Sequence, residues 1–397
     1  MKETKMKDDF SPSFHIFIIW ENSRPKLDML LNDIKTKFSI REIYEITWDD
    51  DFFVDNLRRF YGATLPDPHA KAKECGFGPF LVVFLEDNCP TMSERGYRHR
   101  RQIVNTNVFD AKMKYRKWLG GDFRIHGSNN EKETNHDLVL LLGKNIHDLL
   151  QTITSTWDGS YKKIKRNLSG SVKWKNLDEL FYTLNNSTNY LVLRNFEELS
   201  DNFFTSEHKD IDVLTDDLWQ ISYVVNKKIR SQNETGPSSY VKIDSHKVKI
   251  DFKVPGDNYY DKNWEETMLE RKILSDNSIF IPDVENYFYS LLYHIIVHKK
   301  KLSPDYIEKL KLLSKNLSEP IPQEFDDFAY LKKFLDNFLQ KNGYKNTDSS
   351  QYRIFHNHYF TLLHSAYYIA KKQGLRRLLK SIKGRSYRKN LLKSGRI

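Results

Sequence analysis

Three aspartates carry the strongest chemical signal in the sequence. In His208-Lys209-Asp210-Ile211-Asp212-Val213-Leu214 the apolar residues alternate or branch as in a short strand, so Asp210 and Asp212 share one face. Farther along, Val248-Lys249-Ile250-Asp251-Phe252 reads as a second strand and carries the third carboxylate. If the two strands lie side by side, three like charges meet at close range, a costly arrangement unless a divalent cation neutralises them. Mg²⁺, or Mn²⁺ in its place, takes hard oxygen ligands and commonly bridges a few carboxylates to substrate phosphates, so phosphate chemistry is the first expectation. Asp210, Asp212 and Asp251 are the expected metal ligands and catalytic residues.

The run Tyr190-Leu-Val-Leu-Arg-Asn-Phe-Glu-Glu-Leu199, then Asp210-Ile-Asp212, then Ile250-Asp251-Phe252, resembles the nucleotidyltransferase fold of the DNA polymerase β superfamily over about residues 173–300. The resemblance implies a D-x-D pair and a third aspartate on a neighbouring strand, holding metals for attack on a nucleotide's phosphorus. That family usually opens with a Gly-Ser or Gly-Gly turn for the triphosphate, and this chain has Arg194-Asn195 there. Either a guanidinium and an amide replace the glycine turn, or use of nucleoside triphosphates has been lost. On this reading Arg194, Asn195 and Lys209 meet phosphates, and Asp251 accepts the acceptor hydroxyl's proton.

The elements before this region give a second pattern. Strand-like runs at 15–20, 43–48, 78–85 and 123–126 alternate with helical spacing at 26–38, 52–61 and 104–119. The order β-α-β-α-β-α-β suits a ferredoxin-like sheet with helices on one face. Here Gly78-Pro-Phe-Leu-Val-Val, followed by Gly121-Asp-Phe-Arg-Ile-His126-Gly-Ser128-Asn129, is similar to the nucleoside diphosphate kinase family over about residues 13–145. By that resemblance His126 corresponds to the phosphate-carrying histidine, and a nucleotide or acceptor pocket forms around His126, Ser128 and Arg116. The family's phosphate-gripping lysine after the first strand is missing, because the chain reads Trp20-Glu21-Asn22-Ser23 there. The arginine before Gly-Asp-Phe is Gly120. Without those cations the developing phosphoryl charge loses its main stabilisers.

The expected class is α+β: a ferredoxin-like, nucleoside diphosphate kinase-like domain, then a nucleotidyltransferase-like mixed sheet with a helical subdomain and a basic amphipathic tail. The boundaries read from the chain are a flexible 1–12, a first domain at 13–150, a basic linker at 151–172, a second domain at 173–350 and a tail at 351–397. At 397 residues the chain exceeds what one core normally organises. Its two cysteines imply no disulfide, and with no signal peptide or long apolar run a reducing cytosol is expected.

The formal net charge of +10 is concentrated in the tail, where Lys371, Lys372, Arg376, Arg377, Lys380, Lys383, Arg385, Arg388, Lys389, Lys393 and Arg396 stand without an acidic residue. Tyr352 to Leu379 puts aromatic residues first and cations later, the pattern of a helix lying on an anionic membrane surface, with nucleic acid the less favoured partner. The function expected from these features is a metal-dependent nucleotidyl- or phosphotransferase. It moves a phosphoryl-containing group from an activated nucleotide donor to a sugar, glycan or lipid-linked acceptor, as in surface polysaccharide assembly, at the cytoplasmic membrane face. The alternatives are a toxin-type nucleotidyltransferase modifying RNA or protein, and a catalytically degenerate nucleotide-binding scaffold.

Overall fold

The computed structural model describes residues 11–97, 100–153, 156–199, 203–205, 210–227, 240–318 and 321–347. Lys209 and the basic tail lie outside the described residues. The chain is a mixed α+β protein. It divides into two compact units, one holding the described residues up to 227 with 240–252 and 269–283, the other holding 253–268 and 284–347.

The first unit begins with β1 (Ser13–Ile19), α1 (Leu27–Lys37), β2 (Ser39–Thr47), α2 (Asp50–Tyr61), α3 (Pro68–Cys75) and β3 (Phe80–Asp87). A hairpin of β4 (Met92–Tyr97) and β5 (Arg100–Asn105) leads to α4 (Thr106–Leu119), β6 (Ile125–Gly127), α5 (Glu131–Leu141), α6 (Ile146–Thr152) and β7 (Lys162–Lys165). The main sheet has the order β6-β1-β3-β2-β7. All its pairings are antiparallel except β2 with β7.

Helices cover both faces of this sheet, where one covered face was expected. The cause is in the strands: Phe80 to Leu85 is apolar and fully buried at every position, so each face must be screened from water. Phe80, Val82 and Phe84 pack with Phe53, Leu57 and Phe60 of α2 and Leu138 and Leu141 of α5. Leu81, Val83 and Leu85 pack with Leu30 and Ile34 of α1 and Val108, Ala111 and Tyr115 of α4. Residues 162–165, expected within a linker, instead add the edge strand β7.

The same unit contains α7 (Leu177–Ser187), β8 (Tyr190–Val192), β9 (Asp210–Thr215), α8 (Leu218–Val224), β10 (Tyr240–Ile243) and β11 (His246–Lys253). These strands form a second sheet of order β10-β11-β9-β8. The short pair β12 (Ile273–Leu274) and β13 (Phe280–Ile281) follows α9 (Lys262–Arg271). Buried Arg59 of α2 ties the two sheets' surroundings together, donating to the carbonyls of Ser169, Tyr223 and Val224 and to Ser171 Oγ at 2.8–3.2 Å.

The second unit is helical, with the N-terminal part of α9, then α10 (Val284–Tyr293), α11 (Pro304–Ser314) and α12 (Phe328–Asn342). Trp264 stacks on Tyr344 with ring centroids 5.6 Å apart, and Tyr289 on Phe338. A single α-helix was expected through residue 298; α10 instead ends in a π turn from His294 to Lys299. His294 and His298 face each other there, 3.3 Å apart at Nδ1, among tyrosine rings. No helix among the described residues is long and apolar enough to cross a membrane.

Candidate functional site

In β9 the residues Ile211 and Val213 are buried on one face, which turns Asp210 and Asp212 to the other. Antiparallel pairing with β8 sets Val192 against Val213, and Leu193 N–H donates to Asp212 O at 2.9 Å, so the chain leaving β8 passes beside Asp212. Arg194 then meets the Asp212 carboxylate at 2.6 Å. Asn195 has φ 55, the left-handed region that asparagine tolerates better than most residues. Asn195 thus occupies a left-handed turn position of the kind that glycine and asparagine favour.

Strand β11 lies next to β9 and buries Val248 and Ile250 on its apolar face, leaving Lys249 and Asp251 on the other. Lys249 Nζ sits 2.7 Å from Asp251 Oδ2. The hydrogen bond to Asp251 raises the Lys249 pKa above its ordinary value; partial burial opposes this, and the fields of Asp251, Asp210 and Asp212 add to it. One ammonium thus feels all three expected carboxylates. Asp251 Oδ1 is sealed from solvent and has no hydrogen-bond partner among the described residues. A buried oxygen in that state is expensive, and a hydrogen-bond donor or a cation would relieve it.

These residues fit a divalent ion in kind: all are hard oxygen donors, one is an orphaned acceptor, and an ammonium stands where their fields converge. They do not form a closed cage. Among the described residues the single group with three ligand atoms mutually within 4.8 Å is His126, Glu133 and Asp137. An open arrangement suits Mg²⁺, which keeps several waters and takes one or two carboxylates together with phosphates.

The other expected residues lie in the first sheet. His126 is carried on β6 opposite Ile18 of β1, and is 8% exposed. Its neighbour Gly127 cannot be replaced without a shift, since a Cβ would meet the Phe17 ring at 2.7 Å. His126 Nε2 lies 2.8 Å from Asp137 Oδ2 and 3.9 Å from Glu133 Oε1, both on α5. Asp137 Oδ1 meets His136 Nδ1 at 3.0 Å, and Glu133 Oε2 accepts from Asn129 N, so second contacts fix both carboxylates. The rings of Phe60 and Tyr61 stand edge-on to the imidazole.

Burial lowers the His126 pKa, with Asp137 opposing, and burial pushes Asp137 up to about 6. Lys112 is brought down to about 8 by burial, and donates to Gly127 O at 2.8 Å and Asn129 Oδ1 at 2.5 Å. Arg116 is on the same helix, and its charge reaches both Lys112 and the Tyr61 hydroxyl. Ser128 is fully buried; its Oγ accepts from Ile16 N at 3.1 Å and from Thr134 Oγ1 at 2.8 Å. That hydroxyl fastens β6 to β1 and α5.

Asp210, Asp212, Asp251 and Arg194 are therefore brought to one face of one sheet, while His126 lies apart on β6 of the first sheet and Arg116 on α4. Sequence reasoning passed over Lys249, although its place two residues before Asp251 on one strand already put both on the same face. Lys112 and Asp137 gave no comparable signal, because helical positions far apart in sequence meet His126 only after folding. Basic Lys162, Lys163 and Lys165, in the segment read as a linker, pair with Glu42, Glu45 and Asp49. Comparison with protein-family models, with curated proteins and with solved structures finds no match to this chain.

Proposed function

We propose that the chain is a divalent-cation-dependent transferase that moves a nucleotidyl or other phosphoryl-containing group from an activated nucleotide donor to a hydroxyl on a sugar, glycan or lipid-linked acceptor. The observation that carries this reading is the single face of β9 and β11 on which Asp210, Asp212 and Asp251 all act on one cation position. A D-x-D strand beside a strand with a third aspartate is the feature shared with the polymerase β superfamily. The main sheet's order, with the short strand β6 beside β1 and β3 between β1 and β2, also supports a ferredoxin-like, nucleoside diphosphate kinase-like first half.

Bound at that face, Mg²⁺ or Mn²⁺ supplies neutralisation of the phosphoryl oxygens. Asp251 together with Asp210 or Asp212 would hold it, since the ligand atoms of all three do not lie mutually within 4.8 Å. Arg194, steadied by Asp212, sets a guanidinium at the exit of β8 where a donor phosphate can be gripped. Asp251 is the base that receives the acceptor's proton. The basic segment 371–397 would keep the enzyme at an anionic membrane surface near a lipid-linked acceptor.

A second reading concerns His126. With Nε2 held by Asp137, the other ring nitrogen carries the lone pair, in the way an acid partner orients a catalytic imidazole. Lys71 and Lys112 both act on this histidine. This favours an anion beside His126, which in a two-site protein would be a nucleotide phosphate.

The proposal is tested by thermal shift with a panel of nucleoside triphosphates, CDP-linked alcohols and nucleotide sugars in Mg²⁺, repeated on Asp210→Asn. Asp210 is exposed, so the variant should fold. A donor that stabilises the native protein and not the variant supports the reading; donors that stabilise both equally, or none, argue against it.

A further inference from the structure

We infer that Lys249 is a built-in counter-ion of the acidic face, holding the place of the divalent cation until metal and phosphate arrive together and displace it. The inference rests on the transferase reading above. Its basis is the position of one side chain. Lys249 and Asp251 share a face of β11 two residues apart, and Nζ reaches Asp251 Oδ2 at 2.7 Å while also lying in the fields of Asp210 and Asp212. The face is therefore compensated from within, and a metal ion entering it competes with a resident charge instead of relieving bare repulsion.

Lys249 can leave, and Arg194 cannot leave as readily. The Lys249 side chain is 32% exposed and carries its charge on a flexible four-carbon stem, so a turn about that stem delivers the ammonium to water. Arg194 is 11% exposed and is held at 2.6 Å by Asp212. Release of Lys249 frees Asp251 Oδ2 next to an Oδ1 that has no hydrogen-bond partner among the described residues, so the carboxylate then offers two oxygens to a cation. The displaced ammonium stays within a side chain's length of the site and finds a new partner in any phosphate that the metal carries. Metal and phosphate should accordingly bind with positive coupling, and Lys249 should be the residue that couples them.

The test is Mn²⁺ binding, read from the free-ion electron paramagnetic resonance signal, with and without inorganic pyrophosphate. It is run on the full chain and on the Lys249→Met, Lys249→Gln and Asp251→Asn variants, each checked for folding by circular dichroism. Asp251→Asn sets the level of Mn²⁺ bound elsewhere. The expected result is weak binding of Mn²⁺ alone by the native protein and up to about fivefold tighter binding by both Lys249 variants, the scale of one partly exposed ion pair. Pyrophosphate should tighten Mn²⁺ binding to the native protein more than to either variant. If the native protein binds Mn²⁺ above the Asp251→Asn level and the Lys249 variants bind it no more tightly, the counter-ion role is wrong and the metal site stands. If neither the native protein nor the Lys249 variants exceed the Asp251→Asn level, the transferase reading falls and the inference with it.

Discussion

Glu265 and Asp257 form a buried carboxyl pair that makes the second unit sensitive to alkali. Glu265 is 0% exposed and Asp257 3%. Glu265 accepts from the backbone N–H of Gly256 at 2.9 Å and of Tyr260 at 3.2 Å; Asp257 accepts from those of Val254 and Tyr259. The pair thus clamps the turn that opens the helical unit. Burial, and then the neighbouring Asp257 charge, push the Glu265 pKa up to about 9, and burial raises Asp257 as well. The folded pair keeps a proton that unfolded Glu265, at its ordinary value of 4.5, gives up. This stabilisation is full below that value and is lost as pH rises through it toward about 9. The slope for one proton is about 1.4 kcal/mol per pH unit, so opening of the turn becomes roughly a hundredfold easier between pH 6 and pH 8. The assay is hydrogen exchange by mass spectrometry on peptides covering 254–268, with intrinsic rates corrected for pH. Glu265→Gln keeps a donor toward Asp257 without a titrating proton, while giving up one backbone acceptor. Its protection should be lower throughout but nearly independent of pH. Native protection that stays flat from pH 6 to pH 8 would falsify the shared-proton account.

Arg59→Met leaves three backbone carbonyls and the Ser171 hydroxyl without their donor; a loss of about 2–4 kcal/mol and a melting midpoint lower by about 5–10 °C are expected, and an unchanged midpoint in calorimetry contradicts the role given to that guanidinium. Because burial depresses its pKa, His126 should titrate below its ordinary value of 6.5 in ¹⁵N-resolved imidazole spectra, and removing the opposing carboxylate in Asp137→Asn should lower the value further. A His126 signal that titrates at or above pH 6.5 would overturn the picture of a dry pocket.

The acidic face was legible because it depends on period two alone. Ile211 and Val213 bury one side of β9, Val248 and Ile250 one side of β11, and the charged positions follow on the other side without further information. The long strands β1 and β3 were legible as apolar runs, but the covering of their second face was not, since a run buried on both sides has no alternation to read. Strand β7 was illegible for a different reason. Lys162-Lys163-Ile164-Lys165 has the composition of a solvated loop, and it becomes a strand by pairing with β2 and setting its lysines beside Glu42, Glu45 and Asp49. Lysines on an edge strand also discourage further pairing. The hairpin β4–β5 went unread because its first strand, Met92–Tyr97, is largely polar and exposed up to Gly96. The π turn at His294 is set by the packing of His294, His298 and Tyr259, contacts that sequence spacing cannot convey.

The most direct measurement is anomalous diffraction from crystals of the full chain grown with Mn²⁺ and a nonhydrolysable nucleotide. The account predicts a Mn²⁺ peak bonded to Asp251 and to Asp210 or Asp212, with the Lys249 ammonium moved off Asp251. A Mn²⁺ peak confined to His126, Glu133 and Asp137, or Lys249 still paired with Asp251 beside a bound nucleotide, would contradict it.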